Sequence, residues 1–217
     1  MIGRRSPRIE RFLGQDLDRL EALSDGVFAF AMTLLAFEIR VPDPNSITSE
    51  ERLWAAVVAL APRLVTYAMS FLTLGIFWNA QQAHLHHLRG SDRTFTWVQL
   101  TFLGVIVAIP FSTELLAEFI TFRVALLVYW ANIFIAGVAL GWSLRHMGRA
   151  AILRAGRTEV VSLLRRRLVV AQLLYFLGAT LCVFSTYWSI SFIFAVQLYY
   201  TTGVRLPVVS RTMIGRS

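Results

Sequence analysis

Apolar residues in this chain come in long blocks separated by short polar stretches, and a block of about 20 apolar residues is what a helix needs to cross a bilayer. On that measure the pattern predicts helices near 19–41, 53–82, 94–118, 122–146, 164–186 and 188–204. The fold class read from these blocks is an all-α integral membrane protein with six transmembrane helices. The second block is longer than one bilayer requires and contains Pro62, which predicts a tilted helix or a short interfacial lead-in around Glu51 to Leu60. Only Tyr187, Trp188 and Ser189 separate the fifth block from the sixth. The reading divides the chain into an N-terminal segment 1–18, a membrane domain 19–204 and a C-terminal tail 205–217.

Composition agrees with the blocks: 56% of the 217 residues are hydrophobic and mean hydropathy is +0.59, too apolar for a soluble domain. A net charge of +8 could suggest nucleic acid, but the basic residues, all arginine, sit at block ends and form no continuous basic face. They read as topology markers. Arg4, Arg5, Arg8, Arg11 and Arg19 precede the first block, and Arg89 and Arg93 follow the second. Arg145, Arg149, Arg154, Arg157, Arg165, Arg166 and Arg167 lie between the fourth and fifth, and Arg205, Arg211 and Arg216 after the sixth. The alternate connections carry Asp43, Glu50, Glu51, Glu114 and Glu118 with far fewer arginines, so both termini are expected in the cytoplasm. No removable leader is expected at the N-terminus, and the first span would serve as the insertion signal.

The chain lacks a phosphate-binding loop, a dinucleotide fingerprint, paired zinc-ligand spacing and a nucleophile elbow, which sets enzyme readings aside. His84, His86 and His87, and separately His146, read as wet interfacial side chains, and no metal site is expected. The Thr-Val-Gly-Tyr-Gly filter of ordinary potassium channels is also absent, so a pore here would be lined by side chains. Ser24 and Asp25 stand where the first helix enters the bilayer, and an ionisable group there calls for a partner or a transport role. On a helical wheel Gly26, Phe30, Thr33, Leu34 and Phe37 fall within about 100° of one another, with Asp25 on roughly the opposite side. Such a stripe fits a pore wall, and it equally fits a lipid-facing or helix-packing surface.

Arg19, Leu23-Ser24-Asp25-Gly26 and the following Phe28-Ala29-Phe30-Ala31-Met32-Thr33-Leu34-Leu35 resemble the Arg-x-x-x-Phe-Ser-Asp signature of the transmembrane protein 175 family of cation channels. Pro62 to Trp78 is similar to that family's second helix. Asp92-Arg93, Pro110-Phe111-Ser112 and Glu118 are similar to its third. The resemblance implies a potassium-permeable channel of the cell membrane without a cofactor, K+ being the permeant ion. It also implies a homotetramer of six-helix chains, each first helix lining the pore. Carried over by position, Phe30 would be the constriction and Thr33 the polar ring beside it, with Leu34, Phe37 and Gly26 on the same wall. Arg19, Ser24, Asp25, Trp78, Asp92 and Arg93 would form the network that holds the pore helix, and Asp25→Ala would harm assembly more than ion preference.

Leu23 stands where the family usually has phenylalanine, Phe30 where a smaller aliphatic is usual, and Gln81-Gln82 where paired histidines are common. Glutamines keep hydrogen bonding but lose protonation near neutral pH. Two other readings stay open, a secondary transporter and a non-conducting membrane subunit. Besides further copies of itself, the partner implied is the bilayer, with cytoplasmic arginines facing anionic lipids. Nucleic acid is not among the expected partners.

Overall fold

The apolar blocks become helices whose ends are set by local chemistry. In a computed structural model, which describes residues 7–88, 90–149 and 158–202, α1 runs Pro7–Phe37. Next come α2 (Glu50–Ala59) and α3 (Ala61–Leu85), then α4 (Arg93–Val107) and α5 (Ile109–Glu118). The chain continues with α6 (Arg123–Arg149), α7 (Thr158–Thr180) and α8 (Thr186–Thr201). Short 3-10 turns occupy Pro44–Ser46 and Leu181–Val183. The sequence readings on Arg4, Arg5, Arg89, Arg154, Arg157, Arg205, Arg211, Arg216 and the tail 205–217 lie outside the described residues, as do the side chains of Arg8, Arg11 and Arg149.

Two of the expected spans are broken helices. Ser49 caps α2 by accepting from the Arg52 amide, and α2 meets α3 at a 41° bend, with Pro62 in the first turn of α3. Proline has no amide to donate and fits a first helical turn, so the break falls just ahead of it. Pro110 does the same at the start of α5, after a break at Ala108. No residue of α2 is buried, and Trp54 is exposed on it, as suits a lead-in lying along an interface.

Among the described residues four stretches are long and apolar enough to cross a membrane: Leu17–Phe37, Arg93–Glu118, Arg123–Met147 and Glu159–Val183. The bent α2–α3 pair makes a fifth. At 16 residues, α8 is about 24 Å long, shorter than a full hydrocarbon core. The boundary between the last two helices is a correction to the sequence reading. The chain turns at Leu181–Val183, Ser185 caps α8 through the Tyr187 amide, and Tyr187 to Ser189 lie inside α8. A serine able to accept that amide decided the start, which hydropathy alone could not locate.

α6 is the central post, packed on α4, α5 and α7, while α3 contacts α1, α5 and α8. Phe28, Leu35, Met69, Leu74, Phe102, Ile106, Leu116, Leu126, Tyr129 and Ile193 fill the main core. A second cluster, Leu17, Leu20, Leu85, Leu88, Phe95, Leu144 and Met147, closes one end of the bundle. α1 packs on α3, α4 and α5 along one side only, which leaves its other side outside the bundle.

Candidate functional site: the first helix and its anchors

Along α1 the buried positions among the described side chains are Leu17, Leu20, Ser24, Phe28, Ala31 and Leu35, a helical stripe facing the core. Gly26, Phe30, Thr33 and Phe37 are exposed on the other side, Phe30 at 61% and Phe37 at 78%, with Leu34 at the edge and half-buried. Exposure of two phenylalanines on one apolar helix makes this a surface of the single chain that something else covers, whether lipid, a second chain or a pore. Thr33 spends its hydroxyl hydrogen on its own helix, towards the Phe30 carbonyl at 2.8 Å and the Ala29 carbonyl at 3.1 Å. Its oxygen lone pairs are left free to face outward as acceptors.

What holds the helix is a line of buried polar side chains crossing four helices. Gln81 of α3 donates to the Ser24 hydroxyl at 2.7 Å, while Ser24 donates to the Leu20 carbonyl at 2.8 Å. Gln81 also reaches the Gln99 amide oxygen on α4 at 3.3 Å, and Gln99 donates to Ser143 of α6 at 2.9 Å. All four side chains are buried. Away from water polar groups are driven to partner within the protein, and in this line all but the Gln81 amide oxygen do so, which fixes the rotation of α1 about its axis as well as its position.

Asp25 closes the same end from outside the core. One carboxylate oxygen accepts from the Trp78 indole at 2.8 Å and from the Gln82 amide at 2.6 Å. Trp78 is thus brought to Asp25, whereas Asp92 and Arg93, expected in the same network, are not. Asp92 instead caps α4, accepting from the Phe95 amide at 2.7 Å, and its carboxylate meets His146 Nε2 of α6 at 2.8 Å. Burial works to raise the Asp92 carboxyl, but the Phe95 amide, His146 and the Thr94 amide outweigh it and hold it below the ordinary carboxylate range. Arg93 and Arg19 are exposed. His146, expected wet and alone, is therefore a half-buried partner of Asp92, and His84 is buried rather than interfacial. Among the described residues no group of three or more histidine, cysteine or acidic side chains gathers to hold a metal.

A second polar layer lies about 12 Å further along α3, eight residues from Gln81. Ser70 and Thr113 share a hydrogen bond at 2.6 Å, Tyr129 contacts Ser70 and Thr73, and Gln197 of α8 donates to Thr73 at 2.7 Å. Beyond it, at the opposite end from Asp25, Arg63 pairs with Glu118 and with the Glu38 carbonyl, and Arg40 reaches Glu114 at 3.5 Å. Glu38 has its carboxyl raised by burial first and by the Glu114 charge second, against the lowering pull of Arg40 and Arg63. The sequence reading passed over Gln99, Ser143 and Gln197. The reasoning that singled out Asp25, a polar side chain within an apolar block, applies to them as well.

Similarity to known proteins follows the same residues. A family model described as endosomal/lysosomal potassium channel TMEM175 matches residues 19–110, from within α1 to the start of α5. A potassium channel of Streptomyces collinus is 36% identical over 60% of this chain and 65% of its own length. A potassium channel of Chamaesiphon minutus is 29% identical over 84% of this chain and 92% of its own. The human endosomal/lysosomal proton channel TMEM175 is 34% identical over 47% of this chain, which spans 21% of the human protein. The crystal structure of a lysosomal potassium-selective channel TMEM175 homologue from Chamaesiphon minutus superposes with a TM-score of 0.76. It shows 26% identity and covers 87% of this chain and 97% of that one. Matched in sequence through its first helices and in fold along most of its length, the chain is similar to the TMEM175 family.

Proposed function

We propose that the chain is a potassium-permeable cation channel of the cell membrane, assembled as a homotetramer whose four α1 helices line the pore. The observation that carries the reading is the two-sidedness of α1. One side is fastened to the bundle by Ser24 and Asp25, and the other presents Gly26, Phe30, Thr33 and Phe37 away from it. The names of the relatives, potassium channels among them, support the same assignment. In a fourfold assembly Phe30 forms an apolar ring that closes the path by dewetting, and Thr33 gives a ring of hydroxyl oxygens that partly replaces the water an ion sheds. Leu34 and Phe37 continue the wall.

In this reading six helical units cross the membrane, with α2–α3 and α4–α5 each counted as one broken span and α8 as the last. The Asp25 end faces the cytoplasm with both termini, and the Arg63–Glu118 end faces outward. Permeation is passive and uses no cofactor. The test is ion flux in liposomes holding the purified protein, driven by a potassium or a sodium gradient, with oligomeric state measured on the same sample. Potassium flux exceeding sodium flux from a tetramer is the expected result. A correctly assembled protein that passes neither ion unless a second solute is supplied is a carrier, and one silent under every gradient is a non-conducting subunit.

A further inference from the structure

Between α6 and α7 runs a groove of about 990 Å³, away from the exposed side of α1. Its long walls are apolar, including Phe134, Val138, Val169, Leu173 and Phe176, and most of these side chains are exposed in the single chain. At one end, and only there, the lining turns basic, with Arg145 from α6 and Arg165 from α7. Both guanidinium groups are exposed, and among the described residues neither meets a carboxylate, although His146 beside them is engaged by Asp92. An apolar channel ending in two uncompensated cations calls for a molecule with an apolar body and an anionic head.

The dimensions fit one. From Arg165 to Phe176 on α7 the groove is about 16 Å deep, close to the roughly 15 Å that one leaflet contributes to the hydrocarbon core. Trp142, exposed one turn inside Arg145, belongs at the level where headgroups meet acyl chains. At the floor of the groove Gly137 lets α7 come close to α6, since a Cβ there would overlap the Gln172 side chain, while a Cβ at Gly141 would lie in ordinary contact with Leu168 at 3.4 Å. We infer that this groove binds an anionic phospholipid of the surrounding membrane, one acyl chain along α6 and α7 and the phosphate between Arg145 and Arg165. Basic pockets between membrane helices hold such headgroups by the same combination of charge and apolar depth. The neighbouring Arg166 and Arg167 lie off the groove lining and add only general surface attraction.

Native mass spectrometry of the full chain tests the site, with dioleoyl phosphatidylglycerol and dioleoyl phosphatidylcholine added in equal amounts. The wild type is expected to retain phosphatidylglycerol about ten-fold or more over phosphatidylcholine, saturating at one per chain, and Arg145→Gln/Arg165→Gln to lose that preference. Arg166→Gln/Arg167→Gln is expected to keep it, and Leu173→Trp, which fills the groove, to lower retention of both lipids with the oligomer intact. Equal retention of the two lipids by the wild type would overturn the inference, as would an equal loss in the two arginine pairs. Disassembly of the oligomer by Leu173→Trp would give the groove to a neighbouring copy and overturn it too. None of these results depends on whether the protein conducts.

Discussion

At the scale of single residues, the side chains that matter most are those whose polar atoms have no solvent to fall back on. Gln81 bonds both Ser24 and Gln99, so Gln81→Leu strands the Gln99 oxygen at a cost of about 1–3 kcal/mol. Removing both glutamines leaves fewer unsatisfied atoms, and Gln81→Leu/Gln99→Leu is expected to unfold at a higher temperature than Gln81→Leu alone, followed by tryptophan fluorescence in detergent. Asp25→Ala removes the acceptor of two donors at once and is expected to lower the tetrameric fraction on size exclusion while leaving any residual ion preference unchanged. Glu38 differs in sign. Its folded carboxyl is raised, so ionising it opposes folding as pH climbs through and above the ordinary carboxylate range. Glu38→Gln is therefore expected to stabilise the protein at pH 7 and to lose that advantage below about pH 4. Asp25 stood out in the sequence because a charge interrupts an apolar block, and its Trp78 partner was also named there. The glutamines on α4 and α8 carry no charge, and nothing in linear order says that Gln99 faces Gln81 across two helices.

At the scale of the helix, caps and close approaches set the packing. Asp92 both starts α4 and ties it to α6 through His146, and its lowered carboxyl means the stabilisation is complete above the unfolded value near 3.9. It drains away as pH falls through the lower folded value. Asp92→Ala is expected to cost about 1 kcal/mol for the lost cap, with a further loss from freeing His146, and Asp92→Asn to recover the cap alone; thermal melts between pH 3 and 7 separate the two. Gly178 lets α7 approach α8, since a Cβ there would sit 2.7 Å from Ile193 Cγ1 and 3.1 Å from Phe192 Cδ1. Gly178→Ala is expected to destabilise by about 1–3 kcal/mol, as overpacking does. Helix existence was readable from apolar blocks, and the lead-in before Pro62 from proline chemistry. The α7–α8 turn was misplaced by several residues because both sides are equally apolar, and only the Ser185 cap and the 3-10 turn mark it.

For the whole molecule, the arrangement is a bundle built around α6 with α1 on its flank, fastened along one side and bare along the other. That imbalance is what a fourfold channel would use, because the exposed phenylalanines of one chain are then covered by three others or by the pore they enclose. The wheel placed Gly26, Phe30, Thr33 and Phe37 together but could not separate a lipid-facing stripe from a pore wall. The anchors on the reverse side of α1 make the distinction testable, since they fix which way Phe30 points. The most direct measurement is potassium flux in liposomes for wild type and Phe30→Ala at equal tetramer content. The account predicts faster potassium flux in Phe30→Ala, because widening the apolar ring lowers the barrier to wetting. An unchanged flux in that variant, with wild type conducting, would contradict a constriction at Phe30 and with it the assignment of α1 as the pore helix.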